Sequence, residues 1–503
     1  MRSQASTSIH GPRAHPGRGG TTVAIVHLNL DGNGPIYAQL TRALRHAIST
    51  GRLRNGERLP PTRALARTLR VSRTTIVGAY AQLCDEGLIS ARVGSGSYVD
   101  APVSEPPPLK RRRDVVAQTS FSRRARSLWS DELCEGLAHV YRYDLRVRGE
   151  DLGPTIPARR LVALRSFAYE RSGIHDLQGI YTLREAISRY LALHRAVHCS
   201  PDDILIVNST RHALDLAARV LLEPGSVVAA EDPCCFRTRH LFLLHGARIA
   251  TMAIDEHGAC VAQNDKRNAQ LICVTPSCQF PTGAMLSAAR RAALVTMAER
   301  DSSWILEMES DHAAWQRDDA LAIYSMDGND RTLYVGGFSR ALGAGFQIGY
   351  MVVPAALKED FLAAKWAADL NPSPHAQLAF SERLRNGHFV RQLHLNARAM
   401  SERRAHLAEI LGRVLAEEFR LQRVDSGGSN LMAWLDGASV PQTDRLVDIA
   451  RGRGLGLTAV RHFFADGSGS PGLVLGIGAL PADRMDAAVS VLRDCLNDVK
   501  QDR

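Results

Sequence analysis

The sequence predicts two folded units of different class in one chain: a small α+β head near the N-terminus and a larger α/β body with a largely parallel sheet. Three observations predict this. At 503 residues the chain is too long for one ordinary hydrophobic core. Its basic charge is segregated: residues 1–130 hold 20 Lys and Arg against 7 Asp and Glu, whereas residues 131–503 hold 42 against 45. The hydrophobic period also changes, from helical spacing within residues 36–83 to short apolar strands alternating with helices beyond about residue 145. A segregated positive field attracts a polyanion, but a solvated basic face has the same composition, so motifs must decide between them.

Residues 1–30 lack the apolar stretch of a secretory signal, and no apolar run approaches the roughly 20 residues that span a bilayer. A disordered tail on a cytoplasmic protein without membrane association is expected. Nine cysteines show no paired C-x-x-C spacing, so reduced, mostly buried thiols and no metal site are expected.

Residues 31–100 read as three helices and a hairpin. After Pro35, apolar residues recur at Ile36, Leu40, Leu44, Ala47 and Ile48, and the stripe stops at Gly51. A turn at Asn55-Gly56 precedes a second helix, capped near Thr62, with Leu65, Ala66 and Leu69 inward. The third helix starts from Ser72, turns Ile76, Ala79, Tyr80 and Leu83 inward, and ends at Gly87. Arg73, Thr74 and Thr75 are left exposed at its first turn, where a recognition helix would enter a major groove. Leu88–Arg92 and Ser97–Val99 pair across Val93-Gly94-Ser95-Gly96, small residues that permit close approach to a phosphate backbone.

The ordered run "LPPTRALA…VSRTTI…AYAQLCDEGLI…GSGSYV" resembles the winged helix-turn-helix of the GntR transcription regulators over about 65 residues. The resemblance implies binding to double-stranded DNA through Arg63 on helix two, Ser72, Arg73, Thr74 and Thr75 on helix three, and Arg92, Gly94, Ser95, Gly96 and Ser97 in the wing. Ser72 is also expected to act as the N-cap of helix three. Residues 101–145 form a Pro-rich basic linker; Lys110 to Arg113, Arg123, Arg124 and Arg126 either add nonspecific phosphate contacts or belong to a plain solvated tether.

Within residues 146–503, strands are expected at 204–207, 226–230, 247–252, 269–275, 303–309 and 332–337, with helices such as Arg211–Leu222 and Ser287–Arg300 between several of them. "LQGIYTLREAISRYL", "EDPCCF", "TPSCQFPTGAMLS" and "YVGGFSRALGAGFQIGYMVVP" resemble the fold type I aminotransferases. Head, linker and body together resemble the MocR family, which implies a homodimer in which pyridoxal phosphate binds the body and modulates DNA binding.

Several positions depart from what that resemblance implies. Arg340 stands where the family has the Schiff-base lysine, and a guanidinium stays protonated and offers no nucleophilic lone pair. Gln347 replaces the arginine that meets the cofactor phosphate. Met308 falls at the carboxylate that partners the ring nitrogen, Ser310 at the phenol, and Val474 at the arginine that clamps a substrate carboxylate. A one-residue slip would bring Glu307 or Glu309 inward but would reverse the strand's facing. The phosphate-cradling turn is Asn208-Ser209-Thr210-Arg211, and Cys278 replaces a histidine.

The expected protein is therefore a DNA-binding regulator with a catalytically inactive, aminotransferase-like body in which covalent pyridoxal phosphate is not expected. The competing reading is a pyridoxal-phosphate aminotransferase fused to a DNA-binding head. Two roles for Arg340 stand open: with Arg211 and Arg461 it surrounds a small anionic effector, or it pairs with Glu307, Glu309 or Asp311 and plugs the pocket.

Overall fold

The computed structural model describes residues 30–92, 95–100, 118–128, 140–147, 176–261, 269–309, 321–342, 346–369, 371–422, 428–467 and 469–501. Gly94, Ser310, Asp311 and the side chain of Arg340 lie outside the described residues. The chain divides into two compact units, Met1–Val116 and Ala117–Arg503.

The head comprises α1 (Ile36–Ser49), α2 (Thr62–Leu69), α3 (Arg73–Asp85), β1 (Ile89–Arg92) and β2 (Gly96–Val99). Leu40, Leu44, Leu65, Ile76, Leu83 and Val99 share one buried cluster, so the helical stripes and the hairpin close a single core. The Tyr80 hydroxyl donates to the Pro60 carbonyl at 2.9 Å, tying α3 to the start of α2. Two details differ from expectation. Ile36, the first residue of α1, is 49% exposed, and burial of the helix starts at Gln39 and Leu40. Thr62 is the first helical residue of α2, with Pro61 at the N-cap and no side-chain cap bond.

The body begins with α4 (Ser120–Leu128), inside the stretch expected to be linker. The Arg124 guanidinium donates to the Leu244 carbonyl at 2.8 Å, and Phe121 meets His245 edge-on. There follow β3 (Tyr143–Asp144), α5 (Tyr181–Arg195), β4 (Ile204–Val207), α6 (Thr210–Leu221), β5 (Val227–Asp232), α7 (Phe236–Leu244), β6 (Arg248–Asp255), β7 (Gly258–Ala259), β8 (Leu271–Val274), α8 (Ala288–Asp301), β9 (Trp304–Met308), α9 (Ile323–Met326), β10 (Thr332–Gly337), α10 (Ser339–Leu342) and β11 (Gly349–Val352). The sheet order is β4-β11-β10-β9-β8-β5-β6-β7. β5, β6, β8, β9 and β10 are mutually parallel, while β11 runs against both its neighbours and β7 against β6. Continuous burial along β4, β8 and β11 fits strands covered on both faces.

Two helices, α11 (Lys358–Ala368) and α12 (Pro374–Arg385), pack on the large sheet through Phe361 and Phe380, and the long α13 (His388–Val414) leads into a smaller subdomain with the antiparallel sheet β12-β13-β15 (Phe419–Leu421, Asn430–Leu435, Gly472–Gly476), α14 (Val440–Gly452), β14 (Leu455–Gly456), which pairs with β3, and α15 (Met485–Gln501). Leu407, Leu446, Leu473 and Leu492 lie in its core. Among the described residues no helix is long and apolar enough to cross a membrane.

Candidate nucleic-acid interface and cofactor site

At the head, Ser72 is the N-cap of α3: its Oγ accepts from the Thr75 amide at 3.1 Å. The same hydroxyl lies 2.7 Å from Thr75 Oγ1 and 3.2 Å from Thr74 Oγ1. Arg63, Ser72, Arg73 and Thr74 are exposed and Thr75 is half-buried. In the wing, Arg92 pairs with Gly96, and its guanidinium lies 4.9 Å from the Tyr98 ring centre. Ser95 Oγ is 2.6 Å from Tyr98 Oη, Ser97 is half-buried, and Gly96 takes φ 115°, which favours glycine. Arg58, absent from the expected set, packs on Gly96.

In the body, β4 runs through Asn208 into α6, whose N-cap Ser209 accepts from the His212 amide at 3.2 Å. The end of β10 abuts this first turn: a Cβ on Gly337 would stand 2.5 Å from Thr210 Oγ1. Arg340 therefore leaves the sheet, in the short α10, close in sequence to the strand end that seats α6. Arg211 is exposed in the first turn of α6, and Gln347 is exposed ahead of β11. Beside α6, the Asn208 amide donates to Asp369 Oδ2 at 2.5 Å and the fully buried Lys365 donates to Asp369 Oδ1 at 2.8 Å. Burial lowers the pKa of both Lys365 and His212. Sequence reading misses this group, because 157 positions separate Asn208 from Lys365.

β9 settles which carboxylates face α6. Leu306 belongs to the cluster formed with Ala213 and Leu214 of α6, and Met308 packs against it. Glu307 points to the opposite face, where it accepts from the Ile323 and Tyr324 amides at 3.0 and 2.9 Å; burial raises its pKa to about 7. Glu309 also turns from α6, accepting from Ser277 Oγ and Tyr334 Oη at 3.1 Å each and pairing with Arg195 at 3.3 Å. No register slip brings either glutamate inward. Val474 is fully buried with Met432, Val460 and Phe463, and Phe280 and Trp434 pack on that cluster. Arg461 forms an ion pair with Asp444, while the neighbouring Phe463 and His462 carbonyls accept from Arg239 at 2.9 and 3.1 Å. The expected ring of three arginines thus has Arg461 committed elsewhere and Arg211 exposed at the first turn of α6.

This pairing of a three-helix, winged head with an aminotransferase-type body defines a class of regulator that reuses an enzyme fold. Residues 36–99 match the bacterial regulatory proteins of the gntR family, and residues 153–465 match aminotransferase class I and II. The chain belongs to the aminotransferase class I and II family and carries a GntR-family head, the combination found in MocR-type regulators. It is 28% identical over 488 residues to the probable rhizopine catabolism regulatory protein MocR of Rhizobium meliloti, covering 93% of this chain and 94% of that protein. It is 29% identical to the transcriptional regulator TauR of Rhodobacter capsulatus (86% and 90% covered) and 26% identical to the pyridoxine biosynthesis regulator PdxR of Corynebacterium glutamicum (92% and 96%). Among solved structures, an archaeal alanine:glyoxylate aminotransferase superposes with TM-score 0.64 at 22% identity (76% of this chain, 96% of that one). The α-aminoadipate aminotransferase LysN of Thermus thermophilus gives 0.66 at 22% (75% and 97%). These two show the fold.

Proposed function

We propose that this protein is a DNA-binding transcription regulator whose body performs no Schiff-base chemistry. The observation that carries the reading is the combination, in one chain, of the exposed Ser72–Arg73–Thr74 turn and a body with Arg340 at the lysine position. Catalytic use of pyridoxal phosphate does not fit the residues present. Met308 offers no carboxylate to a ring nitrogen, and Val474 lies in an apolar cluster that offers no cation to a substrate carboxylate. Glu307 and Glu309 are engaged on the opposite face of the sheet and supply neither charge.

The role assigned to the body is to pair two copies of the chain and to take a small anionic effector noncovalently at the first turn of α6, where backbone N–H groups and Arg211 favour negative charge. Duplex DNA, a homodimer and a cytoplasmic location follow from that reading. The test is selection of duplexes from a random library by the intact protein, with transaminase turnover assayed in parallel. Recovery of a specific duplex without turnover supports the reading; turnover, with or without duplex selection, supports an aminotransferase fused to a DNA-binding head.

A further inference from the structure

The exposed face of α3 changes chemistry after its first turn. Arg73, Thr74, Val77, Gly78 and Ala81 are exposed, while Ile76, Ala79, Tyr80 and Leu83 are buried. Arg73 has no partner among the described residues, whereas the Thr74 and Thr75 hydroxyls lie within bonding distance of Ser72 Oγ. One turn on, the face carries no hydrogen-bonding side chain. Val77 is 45% exposed although large and β-branched, and a Cβ built on Gly78 would meet nothing within 4 Å. A valine flanked by glycine and alanine forms a low apolar ridge, which lets the helix lie close to the floor of a groove.

The geometry points to Val77 as a residue that reads a thymine C5-methyl group in the major groove, one or two base pairs from the base that Arg73 contacts. This rests on the proposed DNA-binding role. Residues four apart on a helix are neighbours about 5–6 Å apart, and the thymine methyl is the one apolar feature of the major-groove base edges. Gln82, exposed further along α3, donates to Glu86 at 3.3 Å, so hydrogen-bond readout falls to the first turn and apolar base-edge contact to the second.

The test uses the intact protein and the duplex it selects from a random library. Each thymine is replaced in turn by uracil, which lacks the methyl group but keeps every hydrogen-bonding atom. For one thymine per half-site, the replacement should weaken binding about fourfold, the worth of one buried methyl group. Val77→Ala, which leaves the core untouched, should bind the thymine and uracil duplexes alike, and Val77→Thr, which keeps one methyl, should still tell them apart. A uracil scan without effect, or an effect unchanged in Val77→Ala, overturns the assignment while leaving DNA binding in place. Failure to select any duplex removes the regulator reading and this assignment together.

Discussion

Arg195 and Glu309 meet at 3.3 Å on the face of the sheet turned away from α6, with side chains 5% and 3% exposed. Their pairing takes from the α6 side a carboxylate that the sequence alone leaves available to Arg340. Glu309→Ala should strand the Arg195 charge in a buried site and cost about 3–5 kcal/mol of stability. Urea unfolding measures it; a cost within experimental error would mean that the pair does not exist in solution.

Glu307 gives a pH dependence. Its folded pKa is raised from the ordinary 4.5 to about 7, so between those values the folded state holds a proton that the unfolded state has lost. The stability it contributes is present below about pH 4.5 and falls as pH rises to 7, by about 1.4 kcal/mol per unit. Glu307→Gln should flatten that slope in unfolding midpoints taken across pH 4.5–7. An unchanged slope would place the titration elsewhere, Glu231 being another buried glutamate raised to about 7 among the described residues.

Arg73→Ala should cost about 1–3 kcal/mol on the preferred duplex and relax discrimination there. Lys110→Ala with Arg111→Ala should instead weaken binding to all sequences and flatten the salt slope. Arg124→Ala belongs to neither class: its guanidinium is committed to Leu244, so it should loosen α4 without moving the salt dependence. Binding titrations at several salt concentrations separate the three.

Arg340→Lys should restore no transamination, since Met308 and Val474 still deny the ring nitrogen and the substrate carboxylate their partners. Turnover in that variant would show that these two positions are not limiting.

The helical stripe of the head and the strands of the body are legible because burial imposes periods of 3.6 and 2 on them. Strand alternation likewise fixes the facing of Met308 and Glu307, since a slip would turn Leu306 out of its core. What escapes depends on distant partners. Residues 120–128 read as tether because the contacts of their helix, Leu244 and His245, lie some 120 positions away. Arg461 reads as a neighbour of Arg340 because Asp444 approaches it only in the folded subdomain. Ile36 matches the stripe of α1, yet period alone does not say which turns of the helix are covered.

The most direct test is titration of the intact protein with pyridoxal phosphate, followed by visible absorbance, borohydride reduction and intact mass. With Arg340 in place of lysine, no stoichiometric visible band and no one-per-chain pyridoxyl adduct should appear. One reducible adduct per chain, accompanied by transaminase turnover in the unmodified protein, would contradict the assignment of the body as a noncatalytic module.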